Sequence, residues 1–495
     1  MSARIAIDAR KLADFGIGSY LRGLISGLAA IDDDRRYLLL APAGAAALLP
    51  NLPARFEWVE EDAPHYSRAE LFAISRQVRR LGADLLHCPH YVVPFAPPCP
   101  VVVTIHDAIH LTHPETLPRP RALAYGYAKL MLGRAVRIAE RVIAVSQAAA
   151  AELESELRIA PGKLVVVANG VDEIFHPRRP SPPSNPLADT ATAVLFPAGD
   201  DPLRQEEKKP IEGDASGAPS PSRGGEADSA SDRLQAPSPA EETGVFRASG
   251  ASTRDPGYRA TPPPPEPSPA TCEPSPPLLR SFSPAGAPPV AEVPAGDSGL
   301  RPGPLLFVGN PKQHKNLHRL IEAYARLVRA RGKGAVPPLL LAGGGCDDRE
   351  EAALRARSRR LGIADRVHYL GYVTAGELVD LYRSASMLVF PTLAEGFGLP
   401  IAEAMACGTP VVVSDRPVHR EIAGEAGERV DPLDPASIAA GIARLLDDPA
   451  LAARRAEAGG RLAARFSWRT AAAATAGVYA EALAVGRRGR TRGPA

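Results

Sequence analysis

Cysteine is scarce in this sequence and unpatterned where it occurs. The five cysteines, Cys88, Cys99, Cys272, Cys346 and Cys407, are scattered and odd in number, and none forms a C-x-x-C pair. That spacing indicates neither a zinc site nor a disulfide framework, and it fits a reducing compartment. A charge excess is also missing: the formal net charge is +2 over 495 residues, too little to argue for nucleic acid as a partner. No run of about 18 apolar residues occurs, so no membrane span is expected. The opening residues lead into Ile5-Ala6-Ile7-Asp8, which reads as a short strand and not as a secretory leader. Together these absences predict a cytoplasmic protein, with a place at the inner face of a membrane left open.

What is present is 45% hydrophobic residues, enough for real cores, and a length that suggests two or three domains. Composition breaks sharply in the middle. Residues 178–303 are dominated by Pro, Ser, Ala, Gly and Glu and hold about half of the 52 prolines, including Pro262-Pro263-Pro264-Pro265. Such a stretch has too little apolar surface to offset its ordering entropy, which predicts a disordered insertion. On both sides of it, short apolar runs alternate with helical patterns. Strands are predicted at 4–8, 37–41, 85–87, 101–105, 141–145 and 164–167, and then at 305–308, 338–341, 366–369, 387–390 and 410–413. Helices are predicted near 18–30, 68–81, 121–139 and 148–157, and then near 317–331, 348–361, 375–384 and 399–407. The chain after Arg429 reads as helical to its end, with Asp434-Pro435 opening one helix and Ser467 capping another. Strand–helix alternation implies crossover connections and parallel sheets. The strand candidates are almost continuously apolar, as in strands covered on both faces. Two facing Rossmann-like α/β domains are therefore expected, with ligands at the carboxyl ends of the strands.

The strongest local signal is Glu395-Gly396-Phe397-Gly398-Leu399-Pro400-Ile401-Ala402-Glu403, placed after a strand and opening a helix. The glycines permit close approach of a ligand to the backbone, and Pro400 suits a first helical turn. The amides of Phe397, Gly398 and Leu399 would then face outward at a helix N-terminus, a site suited to a diphosphate. Glu403 lies about one turn into the helix and can reach a diol such as a ribose, while Glu395 can accept hydrogen bonds from sugar hydroxyls. A Gly-x-Gly alone would mean no more than a turn before an amphipathic helix; here two carboxylates bracket it.

This arrangement resembles the signature of the retaining glycosyltransferases of family 4, which have the GT-B fold: two facing Rossmann-like domains, an active-site cleft between them and a C-terminal helix crossing back to the first domain. The resemblance covers nearly everything outside the insertion and is closest in style to bacterial mannosyltransferases. Ile5-Ala6-Ile7-Asp8-Ala9-Arg10 with Gly16-Ile17-Gly18 is similar to the family's opening strand and glycine loop. Thr104-Ile105-His106-Asp107, Ala144-Val145-Ser146 and Asn169-Gly170-Val171-Asp172 match landmarks of its acceptor domain. Val308-Gly309-Asn310, His314-Lys315-Asn316-Leu317 and Phe466-Ser467-Trp468 match landmarks of its donor half. The resemblance implies an acceptor domain at 1–177, a donor domain at 304–466, and a crossover helix and tail at 467–495. It also implies site roles. His106 would face the transferred sugar, Lys315 would neutralise the leaving diphosphate, and Glu395 would contact the sugar. Glu403 would hold the ribose, Gly16 and Gly18 would let the first domain's loop approach the phosphates or the acceptor, and Gly309, Phe397, Gly398 and Leu399 would line the donor site. Family members often carry Arg where Asn310 stands, and Lys312 is the nearest replacement in sequence.

The implied chemistry is transfer of a sugar, mannose favoured, from a nucleotide-sugar donor to a saccharide or lipid-linked saccharide, with retention and without a metal or other cofactor. GDP-mannose is the favoured donor, with UDP- or ADP-sugars open. Another GT-B enzyme (a nucleotide-sugar epimerase or a phosphorylase) and a non-catalytic GT-B binding protein stand as alternatives. His87, His90, His110 and His113 cluster in sequence and read as surface or loop histidines in preference to a zinc site. The segment 119–141 mixes Arg and Lys with Leu, Tyr and Met. It reads either as a core-packed helix with solvated arginines or as a face for an anionic membrane or lipid-linked acceptor.

Overall fold

The structure, a computed structural model, describes residues 2–177 and 303–490, apart from 15, 32–33, 66, 68, 118–119 and 345–347. The expected disordered insertion lies almost wholly outside the described residues. The first half holds strands β1 (Arg4–Asp8), β2 (Arg36–Ala41), β3 (Phe56–Glu60), β4 (Leu85–Cys88), β5 (Val101–Ile105), β6 (Arg141–Ala144) and β7 (Leu164–Val166). Its helices are α1 (Ile17–Ala30), α2 (Glu70–Leu81), α3 (Ile109–Thr112), α4 (Arg121–Ile138) and α5 (Gln147–Glu156). The second half holds β8 (Leu305–Val308), β9 (Leu339–Ala342), β10 (Val367–Gly371), β11 (Met387–Phe390), β12 (Val411–Ser414) and β13 (Gly427–Val430). Its helices are α6 (Leu317–Arg331), α7 (Asp348–Arg360), α8 (Ala375–Ser384), α9 (Leu399–Ala406), α10 (Pro417–Ala423), α11 (Pro435–Asp447), α12 (Pro449–Ala463) and α13 (Trp468–Arg490).

The strands form two wholly parallel sheets, ordered β3-β2-β1-β4-β5-β6-β7 and β10-β9-β8-β11-β12-β13. Both reverse strand order next to their first strand, between β1 and β4 and between β8 and β11. Crevices open at the carboxyl ends there, and that is where an α/β sheet receives ligands. The pleat divides the first half's core in two. Ala6 of β1 points to the layer built with Ile74 and Val78 of α2, Leu132 of α4 and Leu153 of α5. Ile5 and Ile7 point to the other face, against Leu21 and Leu24 of α1 and Ala472 and Tyr479 of α13.

The last helix of the chain therefore covers the first sheet, as the sequence resemblance implied. Its entry is keyed by glycine: a Cβ on Gly23 of α1 would stand 2.0 Å from the Trp468 ring, and one on Gly27 would stand 2.3 Å from the Trp468 carbonyl oxygen. The crossing is stitched where Val171 N–H donates to the Phe466 carbonyl at 3.1 Å, beside a bridge between Val171 and Ser467. Both sheets lie within one compact unit.

Two strands were not expected from the sequence. β3 and β13 are the edge strands of their sheets, and both place charged side chains on exposed positions: Glu57 and Glu60 in β3, Arg429 in β13. Those charges interrupt the apolar run by which the other two edge strands, β7 and β10, were read. The expectation of surface histidines is corrected for two of the four. His87 and His90 are buried, and His87 bridges Tyr479 Oη at 2.7 Å and Thr104 Oγ1 at 2.9 Å within the core. Burial holds both rings neutral, at about 3.

Candidate active site

The crevice of the second sheet is built by two connections. The first leaves β8 through Gly309, whose φ of +148° suits only glycine, and whose N–H donates to the Ala342 carbonyl at 2.8 Å. It passes Asn310, the exposed Lys312 and His314 before Lys315. Asn316 ends it in a left-handed conformation, φ +61°, wholly buried. The strain is compensated by its side chain, which donates to the Pro391 carbonyl at 2.8 Å and the Pro432 carbonyl at 2.7 Å. Leu393 N–H adds a bond to the His314 carbonyl at 2.8 Å. Asn316 thus pins the Lys315 loop to the end of β11, a role that its place in the His-Lys-Asn-Leu run did not disclose.

The second connection leaves β11 through Thr392, held by Ser414 and His419, and runs through Glu395-Gly396-Phe397 to Gly398. Gly398 is the N-cap of α9 at φ +88°, with no side-chain cap and Pro400 in the first turn, so the first-turn amides have no side-chain acceptor. Leu399 is the first helical residue. Phe397 is buried and packs edge-on against Phe466, 5.3 Å between centroids.

These two connections bring together residues that are 80 apart in sequence. Lys315 Nζ donates to Glu395 Oε1 at 2.6 Å, with side-chain exposures of 15% and 12%. The same ammonium lies 5.6 Å from the centre of the Phe390 ring. Glu403, on α9, accepts a hydrogen bond from the buried Tyr382 hydroxyl at 2.9 Å. Burial raises its carboxyl to about 7; Tyr382 opposes the shift and Asp172 adds to it. Tyr382 had no local sequence signal, because it reaches Glu403 from α8.

The first sheet faces this edge closely. A Cβ on Gly396 would sit 1.8 Å from the His106 carbonyl oxygen, so only glycine allows the approach seen. Ser146 Oγ donates to the Gly396 carbonyl at 2.6 Å while accepting from Ala149 N–H at the start of α5. The next two amides of α5, those of Gln147 and Ala148, donate to the Glu421 carboxylate of α10, both at 2.8 Å. A helix start in one half is therefore capped by a carboxylate from the other, and Glu421 carries no motif by which sequence could have found it.

His106 follows β5. Its Nε2–H donates to the Pro89 carbonyl at 2.9 Å, which leaves Nδ1 as an acceptor, and its ring meets Tyr20 edge-on at 4.8 Å. Burial lowers its pKa, with Asp107 and the Pro89 bond opposing. Gly16 caps α1 at φ +65° with open space around it. Gly18 has a packing reason instead: its Cβ would stand 2.7 Å from the Leu12 carbonyl oxygen.

Two lysines of the second half, Lys312 and Lys315, stand beside histidines from both halves. Burial, then Lys315, Lys312, His113 and His110, drive the His314 ring down to about 3. Burial likewise depresses His110, with Lys312 adding to the shift and Asp107 opposing it. Three buried polar atoms here make no hydrogen bond: Asn310 Oδ1, His314 Nδ1 and His110 Nδ1. An orphaned amide oxygen calls for a hydrogen-bond donor such as a hydroxyl, while the two lysines suit an anionic group. A small cavity lined by Gly309, Pro311, Leu341, Gly343, Tyr369 and Gly371 adjoins Asn310 at the ends of β8, β9 and β10. Among the described residues, no three His, Cys, Asp or Glu side chains converge as a metal-binding set.

Known proteins carry the same pattern. The family described as Glycosyltransferase Family 4 matches residues 16–174, and that described as Glycosyl transferases group 1 matches residues 299–461. D-inositol 3-phosphate glycosyltransferase of Streptomyces bingchenggensis is 39% identical over 196 residues, 37% of this chain and 42% of the relative. O-antigen chain mannosyltransferase B of Escherichia coli is 36% identical over 177 residues, 36% of this chain and 45% of the relative. The chain thus matches less than half the length of these curated relatives. The crystal structure of Anabaena HepE in complex with UDP and glucose superposes with a TM-score of 0.59 at 17% identity, covering 97% of this chain and 100% of that one, which is a likeness of fold. With one family matched on each half around this cleft, the chain belongs to the family-4 glycosyltransferases and has the GT-B fold.

Proposed function

We propose that the protein transfers a sugar from a nucleotide-sugar donor to an acceptor hydroxyl, with the donor seated at the carboxyl edge of the second sheet. The observation that carries this reading is the convergence there of Lys315, the uncapped start of α9 and Glu403. Breaking the sugar–phosphate bond puts negative charge on the departing diphosphate. A fixed cation and first-turn amides at that point stabilise the charge without needing to reorganise. A diphosphate reaching Lys315 competes with Glu395 for the ammonium, and the displaced carboxylate is then available to the sugar hydroxyls. Glu403 exchanges the Tyr382 hydroxyl for the ribose diol. His106 offers Nδ1 to the sugar from across the cleft, and the acceptor approaches over the first half. The family resemblance supports retention at the anomeric carbon.

Mannose is the sugar proposed, with GDP-mannose as donor, on the strength of the O-antigen mannosyltransferase relative. A UDP-sugar is the second reading, favoured by the fold neighbour crystallised with UDP and glucose. A saccharide or lipid-linked saccharide is the proposed acceptor class. The test is a panel of nucleotide sugars read by thermal shift and by release of nucleoside diphosphate. A donor that binds the folded state raises its melting temperature. GDP-mannose is expected to give both the largest shift and release. Release from a UDP-sugar alone overturns the donor assignment, and release of the intact sugar's epimer without glycosylated product overturns transfer.

A further inference from the structure

The loop that carries Glu395, residues 392–398, is tied to α5 of the first half and to α10 of its own half, and a third contact joins α5 to α10. The three segments therefore close a triangle. Its first side is Ser146, wholly buried at the N-cap of α5, whose Oγ donates to the Gly396 carbonyl at 2.6 Å. Its second side is His419 of α10, also wholly buried. The imidazole Nδ1–H donates to the Ser414 carbonyl at 3.2 Å, so Nε2 accepts from the Thr392 hydroxyl, at 3.2 Å, where the loop starts. Burial keeps this imidazole neutral, at about 4, as that assignment requires. Its third side is Glu421, two residues beyond His419, which accepts from the Gln147 and Ala148 N–H groups, both at 2.8 Å.

The third side differs from the other two. Ser146 and His419 are sealed in the interior, whereas Glu421 is exposed. Water competes for its bonds, so this is the side that opens and recloses most readily. It is also charged: a carboxylate at a helix start, where the first-turn amides and the helix dipole favour it. Within α5, Ser146 takes the Ala149 amide on its Oγ and the Ala150 amide on its carbonyl, both at 3.0 Å. The amides of Gln147 and Ala148 are left to a residue of the other half. The triangle stands beside the place where the end of β5 meets the loop, at the Gly396 contact with the His106 carbonyl. Lys315, Glu403 and the start of α9 are held by other partners.

We propose that Glu421 is a positioning residue for sugar transfer: by closing the triangle it fixes the Glu395 loop against the His106 side of the cleft, while touching no substrate itself. The proposal rests on the transfer reading above. Loosening the walls of a cleft costs turnover more than it costs binding of a nucleoside diphosphate held by one wall.

The experiment is amide hydrogen exchange on the full chain without nucleotide, followed by calorimetric titration with GDP and UDP and by release of nucleoside diphosphate at saturating donor. In Glu421→Ala, exchange is expected to rise about fivefold or more at residues 147–149 and also at 393–398. Affinity for the nucleoside diphosphate is expected to stay within about twofold, and turnover to fall about tenfold. Gln147→Pro removes one of the two N–H donors from the opposite side. The extended Ser146 before it and its place as the first helical residue suit proline, so α5 is kept. Smaller losses of the same kind are expected. Unchanged circular dichroism shows that both variants fold. A rise in exchange confined to residues 147–149 makes Glu421 a local helix cap and overturns the proposal. So does a loss of nucleotide affinity as large as the loss of turnover, which would place Glu421 at the donor itself, or wild-type turnover in both variants. Exchange is read without a donor, so its failure is distinct from a failure of the transfer reading.

Discussion

Glu395 and Glu403 flank one glycine turn and keep different company: Glu395 pairs with the Lys315 ammonium, Glu403 with the Tyr382 hydroxyl. The proposed division of labour follows from those positions. Glu403→Ala is expected to weaken binding of the nucleoside diphosphate by about ten- to a hundredfold, the worth of a lost charged hydrogen-bond acceptor. Glu395→Ala is expected to keep or raise that affinity, because the carboxylate that competes for Lys315 is gone, and to lower turnover, because the sugar loses its contact. Calorimetric titration decides, and equal losses in both variants would sink the assignment. Glu403 also sets a pH dependence. Burial raises it from an ordinary carboxylate value to about 7. Across that window the folded chain holds a proton that the unfolded chain has released, so this group's contribution to stability falls as pH rises. Nucleotide affinity runs the other way, since only the carboxylate accepts from both ribose hydroxyls. Affinity is expected to drop about tenfold between about pH 8 and about pH 6, and Glu403→Gln should flatten the profile. The two glutamates, Lys315 and the glycine turn were legible because they sit in short local patterns. Tyr382, Asn316 and Glu421 were not, because each acts on a partner that is distant in sequence.

At the scale of elements, central strands and long helices were legible from apolar runs and periodicity, since parallel strands covered on both faces leave little else to read. The edge strands β3 and β13 escaped, as did the short helices α3 and α10, whose few turns show no full amphipathic period. The contact between the α9 turn and the end of β5 was equally invisible, although Gly396 at its centre belongs to the strongest local motif of the sequence. The sequence suggested room for a ligand there. The geometry shows room for the His106 carbonyl and a hydrogen bond from Ser146. Gly396→Ala should therefore push the two connections apart. Turnover is expected to fall about a hundredfold through misplacement of the cleft's two walls, while affinity for the nucleoside diphosphate, held by the second half, changes little. A variant with normal turnover would mean that the close approach has no part in catalysis.

Across the whole molecule, the chain leaves the described structure after Pro177 and returns at Gly303, and both flanks meet the end of α8. Arg383 Nε donates to the His176 carbonyl at 2.8 Å, and a Cβ on Gly303 would stand 1.9 Å from the Ser384 carbonyl oxygen. Two neighbouring residues of one helix thus hold both ends. A short link can close that gap, and closure entropy grows only logarithmically with length. Replacing residues 181–300 by a brief Gly/Ser linker is therefore expected to leave the melting temperature within a few degrees and donor turnover within about twofold. Loss of folding would show that the segment is an integral domain.

Release of nucleoside diphosphate at saturating donor, compared between the wild-type chain and Lys315→Ala, bears most directly on a donor diphosphate bound beside α9. Lys312→Ala serves as the control, since Lys312 is exposed and Lys315 is not. The charge on the diphosphate grows as the bond breaks, so the contacting cation acts mainly on the transition state. Lys315→Ala is expected to lose about a hundred- to a thousandfold in turnover, and Lys312→Ala only a few-fold. Full turnover in Lys315→Ala, or no release by the wild-type chain from any nucleotide sugar, would contradict a donor site at this edge of the second sheet.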